Sequence, residues 1–98
     1  MMQTQPKTKD LELTVVLYAL SDPIRLEIVR KLAMSDEIAC GSFNIDMPKS
    51  SLSHHFGILR KAGIISTRKE GTALMNTLRR ADLDRRFPGL LRSVLRAL

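Results

Sequence analysis

The apolar residues of this chain change their spacing at Gly63, and that change limits the fold more than any other feature. Before the glycine, apolar side chains recur every three or four residues, the period of helices buried along one face. After it, Ile64-Ile65-Ser66-Thr67-Arg68-Lys69 is β-rich, and Glu70-Gly71 signals a turn because glycine takes a positive φ without cost. From Thr72 to Leu78 the residues alternate, with Ala73, Met75 and Thr77 set against Leu74, Asn76 and Leu78. From Asp82 to Leu98 the helical period returns, with Pro88 expected to fix the start of the main segment near Phe87. A chain of 98 residues holds one small core, burying roughly 65% of the surface its unfolded form exposes. One hairpin must therefore be enclosed by helices in one domain.

Residues 1–9 are polar and are expected to form a flexible N-terminal arm, leaving 10–98 as the domain. The first helix, Leu11 to Leu20, is apolar on two opposite sides: Leu11, Val15 and Tyr18 on one, Leu13, Val16, Leu17 and Leu20 on the other. Such a helix needs cover on both sides. In a chain this short the second cover is expected to be another copy of the protein, the alternative being a central core helix of a monomer. Ser21-Asp22-Pro23 starts the next helix, with Asp22 capping free amides and Pro23 at the first position, where no N–H is needed. That helix runs to about Met34, and Ile24, Leu26, Ile28, Val29, Leu32 and Ala33 form its apolar arc. Arg25 falls inside the arc, so it must snorkel or find a carboxylate.

Glu37 to Phe43 reads as a third, short helix. Pro48 opens a fourth, which Gly63 stops after Ala62. Its inner face is Leu52, His55, Phe56 and Leu59; its outer face is Ser50, His54, Gly57 and Lys61, flanked by Lys49, Ser51, Ser53 and Arg60. The order α-α-α-α-β-β-α is mostly α with a small β-hairpin, a winged helix-turn-helix.

Charge points to the partner. Through Pro48 the chain has five Lys/Arg and seven Asp/Glu; from Lys49 onward it has eleven and three. The basic half is built for a polyanion. Aromatic residues are few (Tyr18, Phe43, Phe56, Phe87), which disfavours base stacking on single strands and favours duplex DNA. Ser50, Ser51, Ser53 and His54, with Lys49 beside them, are the expected DNA-reading group, since short polar side chains let a helix sit deep in the major groove. Arg60, Arg68 and Lys69 are the expected phosphate contacts. The competing readings are a solvated helix face and a plain charged hairpin. Arg79, Arg80, Arg85 and Arg86 extend the footprint or pair across a dimer with groups such as Asp82. His55, beside Phe56, reads as a packing or hydrogen-bonding residue, the alternative being a DNA contact.

No metal or other cofactor is expected. His54 and His55 diverge by roughly 100° on a helix and do not readily chelate one ion from the same chain. A single cysteine, Cys40, excludes an internal disulfide; it is a candidate redox switch, with a small buried hydrophobe the alternative. No nucleophile elbow, glycine-rich phosphate loop or supported carboxylate pair is present, so an enzyme is not expected. No apolar run approaches the ~20 residues of a membrane span, and the polar N-terminus is not a secretory signal. A cytoplasmic protein is expected.

Residues 17–28 (LYALSDPIRLEI), 50–65 (SSLSHHFGILRKAGII) and 68–71 (RKEG), in this order and spacing, resemble the ArsR/SmtB family of small bacterial winged-helix repressors. The likeness covers about residues 11–80. It implies a cytoplasmic homodimer, joined through its first and last helices, that represses from a palindromic operator until a signal lowers its affinity. It places the recognition helix at Pro48 to Ala62 and the wing at Arg68 to Thr72. Leu11, Val15, Tyr18, Leu90, Leu91, Val94 and Leu95 are then the expected dimer contacts. The chain departs from the family's metal-sensing patterns. Residues 37–43 (EIACGSF) hold one thiol where many relatives have two, and the last helix has Asp82 and Asp84 but no histidine. Gly57 stands where relatives often carry a basic or polar residue. The expected function is a dimeric repressor on an inverted repeat of double-stranded DNA, answering to an unidentified small-molecule or redox inducer. The alternative is a winged-helix module that binds an acidic protein.

Overall fold

The structure, a computed structural model, describes residues 5–98. Helix α1 spans Leu13–Ala19, α2 Pro23–Ala33, α3 Lys49–Lys61, α4 Arg80–Arg86 and α5 Leu90–Arg96. Strands β1 (Ile38–Ala39), β2 (Ile65–Glu70) and β3 (Ala73–Leu78) form an antiparallel sheet of order β1-β3-β2. This is a winged helix, with α2 and α3 packed together in its helical part and β2–β3 as the wing.

Local chemistry explains the boundaries. Asp22 Oδ1 accepts the Ile24 and Arg25 amides at 2.8 and 3.2 Å, capping α2 ahead of Pro23. Gly63 ends the α3 segment at φ 81°, and a Cβ there would collide with Leu11 Cδ2. That position therefore needs glycine for both its backbone angle and its space. Gly71, at φ 61°, turns β2 into β3, with Ile65 opposite Leu78 and Glu70 opposite Ala73. The core gathers Val16 and Ala19 from α1, Ile28, Val29 and Leu32 from α2, and Phe56 and Leu59 from α3. Ile64, Ile65, Leu83 and Leu91 close it from the other side.

Two elements differ from expectation. Residues 37–43 are not a helix: β1 pairs with the free edge of β3, Ile38 opposite Asn76 and Ala39 opposite Met75, and a 3-10 turn follows over Cys40–Ser42. Gly41 and the β-branched Ile38 weaken the helical preference of this segment, whereas the β3 edge offers its backbone ready partners. Phe43 then turns inward onto Phe56, edge to face, with ring centroids 5.0 Å apart. The last helix is two helices. Pro88 supplies no amide and Gly89 takes φ 83°, so the chain breaks between α4 and α5.

Of the arm expected over residues 1–9, residues 1–4 lie outside the described residues. The remainder is tied down. The Gln5 carboxamide bonds both backbone groups of Thr67, at 2.9 and 3.1 Å. Arg79 Nη1 donates to the Pro6 carbonyl at 2.7 Å, and Thr8 Oγ1 donates to Asp82.

The Asp82 carboxylate takes the Thr8 hydroxyl and Arg79 Nε, and these two bonds hold it below the usual carboxylate range. A depressed folded-state pKa gives stability that is present above the unfolded pKa and lost as pH falls through the folded one. Asp82→Asn is therefore expected to cost about 1 kcal/mol at neutral pH, with the deficit closing as pH drops below about 4. Paired melting curves check this; a deficit that stays constant down to about pH 3.5 would refute it.

Candidate nucleic-acid interface

Helix α3 divides as its spacing predicts. Phe56 and Leu59 are buried; Lys49, Ser50, Ser53, His54 and Lys61 are exposed; Ser51 and Arg60 are half-buried. A Cβ on Gly57 would meet nothing within 4 Å, so that glycine has no packing role and leaves a shallow gap between His54 and Lys61. The resulting surface is low, polar and basic. Acidic residues are absent from its first turn, where amide groups and dipole already favour an anion.

The charged residues assigned to phosphates separate into free and tied groups. Among the described residues Lys49 and Lys69 enter no ion pair and are exposed. Arg60 Nε donates to Thr67 Oγ1 at 3.0 Å, fastening the end of α3 to β2. Arg68 is held across the outer face of the sheet. Its Nε and Nη2 donate to Glu37 at 3.1 and 2.7 Å, and Nη2 also lies 2.9 Å from Glu70. The hydrogen bond to Glu37, with its charge and that of Glu70, raises the Arg68 pKa above the ordinary guanidinium value. Arg79 pairs with Asp82 within its own chain, and Arg80 bonds the Ala33 carbonyl at the end of α2.

Arg25 neither snorkels nor meets a carboxylate as expected. It is 5% exposed, and α1 has left it better partners. Nε donates to the Ala19 carbonyl at 2.7 Å, Nη2 to the Tyr18 carbonyl at 3.2 Å, and Nη1 to His55 Nδ1 at 3.1 Å. The guanidinium also lies over the Tyr18 ring, 5.3 Å from its centroid. Burial alone would raise the nearby Asp22 carboxyl, but the Arg25 and Ile24 amides outweigh it and hold that group below its usual value.

Two of the expected dimer contacts are corrected. Leu11 and Leu91, at 1% and 5% exposure, belong to the chain's own core and have no surface to offer a partner. Val15 and Tyr18 are exposed, while Leu90, Val94 and Leu95 are half-buried. Leu13 and Leu17, placed by spacing on the other side of α1, are exposed beside them. Only Val16 and Ala19 of α1 are fully buried, so a seven-residue helix presents four large apolar side chains outward.

Cys40 is half-buried, and its Sγ lies 3.1 Å from Asn76 Nδ2. Among the described residues no three His, Cys, Asp or Glu side chains gather as a metal site. No helix there is long and apolar enough to cross a membrane.

Known proteins share this sequence and this shape. The family described as "Bacterial regulatory protein, arsR family" matches residues 22–67. The HTH-type transcriptional regulator YceK of Bacillus subtilis is 33% identical over 94 residues, covering 93% of this chain and 94% of that protein. The arsenical resistance operon repressor of Staphylococcus xylosus is 36% identical over 74 residues, covering 74% of this chain and 71% of that protein. The structure of HlyU from Vibrio cholerae superposes with a TM-score of 0.71 at 27% identity, over 86% of this chain and 88% of that one. The curated V. cholerae HlyU, called a transcriptional activator, is 35% identical over 66 residues, covering 65% of this chain and 60% of that protein.

Proposed function

Because the chain belongs to the arsR family of bacterial regulatory proteins, we propose that it works as a cytoplasmic homodimeric repressor rather than an enzyme. Each protomer sets α3 into one of two successive major grooves of an inverted-repeat operator, with the helices roughly 34 Å apart. The observation that carries this reading is the outer face of α3, where Ser50, Ser53 and His54 stand exposed beside Lys49 on a helix anchored from below by Phe56. Short donors and acceptors on a rigid helix suit base edges. The outward apolar face of α1, with Leu90 and Val94 of α5, supports the dimer. Lys49 and Lys69 hold phosphates. Ser51 adds to the reading group, and Arg60 and Arg68 reach phosphates only through the parts of their guanidinium groups that their internal partners leave free. The inducer is a small molecule or a redox event, with Cys40 the candidate thiol.

The test uses DNA from upstream of the gene, titrated by fluorescence anisotropy against random duplex. Ser50→Ala with His54→Ala is expected to weaken the operator at least about tenfold, from about 1–3 kcal/mol for each lost base contact, while leaving random DNA nearly unchanged. Lys69→Ala is expected to weaken both equally and to lower the salt slope by about one. Equal damage to operator and random duplex by the first pair overturns the recognition assignment. If no sequence-selective binding occurs at moderate salt, a protein module for acidic partners replaces this reading.

A further inference from the structure

Arg25 joins three helices through one buried guanidinium. Two of its bonds go to the last carbonyls of α1, from Tyr18 and Ala19, and the third goes to His55 on the inner side of α3. Carbonyls at a helix end lack intrahelical partners; that of Tyr18 also accepts the Ser21 amide and hydroxyl, at 3.0 and 2.6 Å, and Arg25, itself on α2, adds the 2.7 Å bond to Ala19 that ties the α1 end to His55 on α3. We propose that Arg25 and His55 are a positioning pair that couples the α1 end to the DNA-reading helix, and that protonating His55 releases the coupling.

The chemistry follows from which atoms can donate. A guanidinium has five N–H groups and no acceptor. The 3.1 Å contact therefore requires His55 Nδ1 to offer its lone pair; the ring is neutral, with its proton on Nε2. Adding a proton to Nδ1 turns this hydrogen bond into two donors and two positive charges face to face. The charged groups around the ring are Asp22 and Arg25 from α2 and the neighbouring His54 on α3 itself. α1 contributes the Tyr18 ring beneath Arg25, and towards β2 the Arg60 guanidinium is held by Thr67. Asp22 Oδ1, 3.9 Å from Nδ1, is the one carboxylate the protonated ring can turn toward. That turn leaves Arg25 Nη1 without its acceptor and moves the ring on which α3 is seated. Any change in overall charge acts on operator and random duplex alike, because attraction to phosphates carries no sequence information. The diagnostic quantity is thus the ratio of operator to random affinity, not either affinity alone.

The DNA part of this inference rests on α3 being the reading helix; the coupling does not, so the test has two arms. In the free protein, long-range 1H–15N correlation spectra at about pH 7.5 should show His55 with Nδ1 bare and Nε2 protonated. On acidification to about pH 5.5, the backbone amides of residues 18–20 should shift in step with the ring signals of His55. His55→Asn keeps an acceptor near the Nδ1 position without a titrating ring, and its residue 18–20 amides should stay still. In the second arm, the operator-to-random ratio should fall at least about fivefold between those pH values in the wild type and remain flat in His55→Asn. A proton on Nδ1 at the higher pH, or α1 amides indifferent to the His55 titration, overturns the coupling, and both are read in the wild type even if the variant fails to fold. Spectra as expected with a selective operator ratio that does not move overturn the positioning role in DNA binding. Spectra as expected with no selective binding at any pH uphold the coupling and remove α3 as the reader.

Discussion

A Leu17→Asp variant is expected to stay folded, to run as a single chain, and to lose operator affinity by roughly 100-fold or more. In the isolated chain Leu17 is 46% exposed on the outer side of α1, while Val16 and Ala19 hold the inner side. A carboxylate there meets water and disturbs stability by only about 0.5 kcal/mol. Between two copies the same carboxylate would be pressed among Leu13, Tyr18 and their counterparts, where an unpaired charge costs several kcal/mol. The dimer should separate while the monomer persists. The DNA effect is large because one protomer offers one reading helix; joining two makes the second engagement intramolecular, and parting them removes a gain of about 100- to 10,000-fold. Sedimentation, melting and anisotropy on one preparation check the three outcomes together. A Leu17→Asp protein that still sediments as a dimer, or a wild type that is a lone chain with full operator affinity, rules out α1 as the interface.

The contrast between Leu17 and Leu11 shows what the chain reveals of itself. The two faces of α3 were legible because thirteen residues give the helical period room to separate Phe56 and Leu59 from Ser50 and His54. The wing was legible because Gly63 and Gly71 stand where the backbone needs a positive φ. In α1, seven residues that are apolar nearly all round offer no such sorting. Leu11 packs against Gly63, 52 positions later, where a Cβ would collide with it. Distance along the chain hid the rest. A two-residue strand carries no period, so β1 is defined by its partner β3 and not by its own residues. Arg68 looked free for phosphate because its main partner, Glu37, lies 31 residues before it, although Glu70, two residues on, is paired with it as well. The exposed and buried sides of α3 were therefore visible in the spacing, the tied state of Arg60 and Arg68 was not, and the outer face of α1 was visible as apolar but not residue by residue.

Asn76 is the residue whose loss should hurt the isolated fold most for its size. Alternation grouped it with Leu74 and Leu78 on one face of β3; its partners explain why an amide is tolerated in the interior. It is fully buried. Nδ2 donates to the Ile38 carbonyl at 3.2 Å and lies 3.1 Å from Cys40 Sγ, while Oδ1 accepts from Thr67 Oγ1 at 2.8 Å. Thr67 Oγ1 in turn accepts from Arg60 Nε. One side chain on the central strand thus binds both neighbouring strands, and through Arg60 the line reaches the end of α3. Asn76→Ala removes the acceptor of the buried Thr67 hydroxyl and a donor to the part-buried Ile38 carbonyl, and an unsatisfied buried group costs about 1–3 kcal/mol. A total of about 2–4 kcal/mol is expected, a fall in Tm of roughly 10–20 °C for a domain of this size. Cys40, released at the loosened β1 edge, should react faster with a thiol reagent. The sharper version is a double-mutant cycle. Asn76→Leu alone strands the Thr67 hydroxyl, whereas Thr67→Val with Asn76→Leu removes both polar partners and lets Arg60 turn to water, so the double variant should melt higher than Asn76→Leu alone. If Asn76→Ala melts within about 2 °C of the wild type, well short of the shift expected for even one lost kcal/mol, or the double variant is the less stable of the two, the wing is held by its backbone ladder and the buried amide is incidental to it.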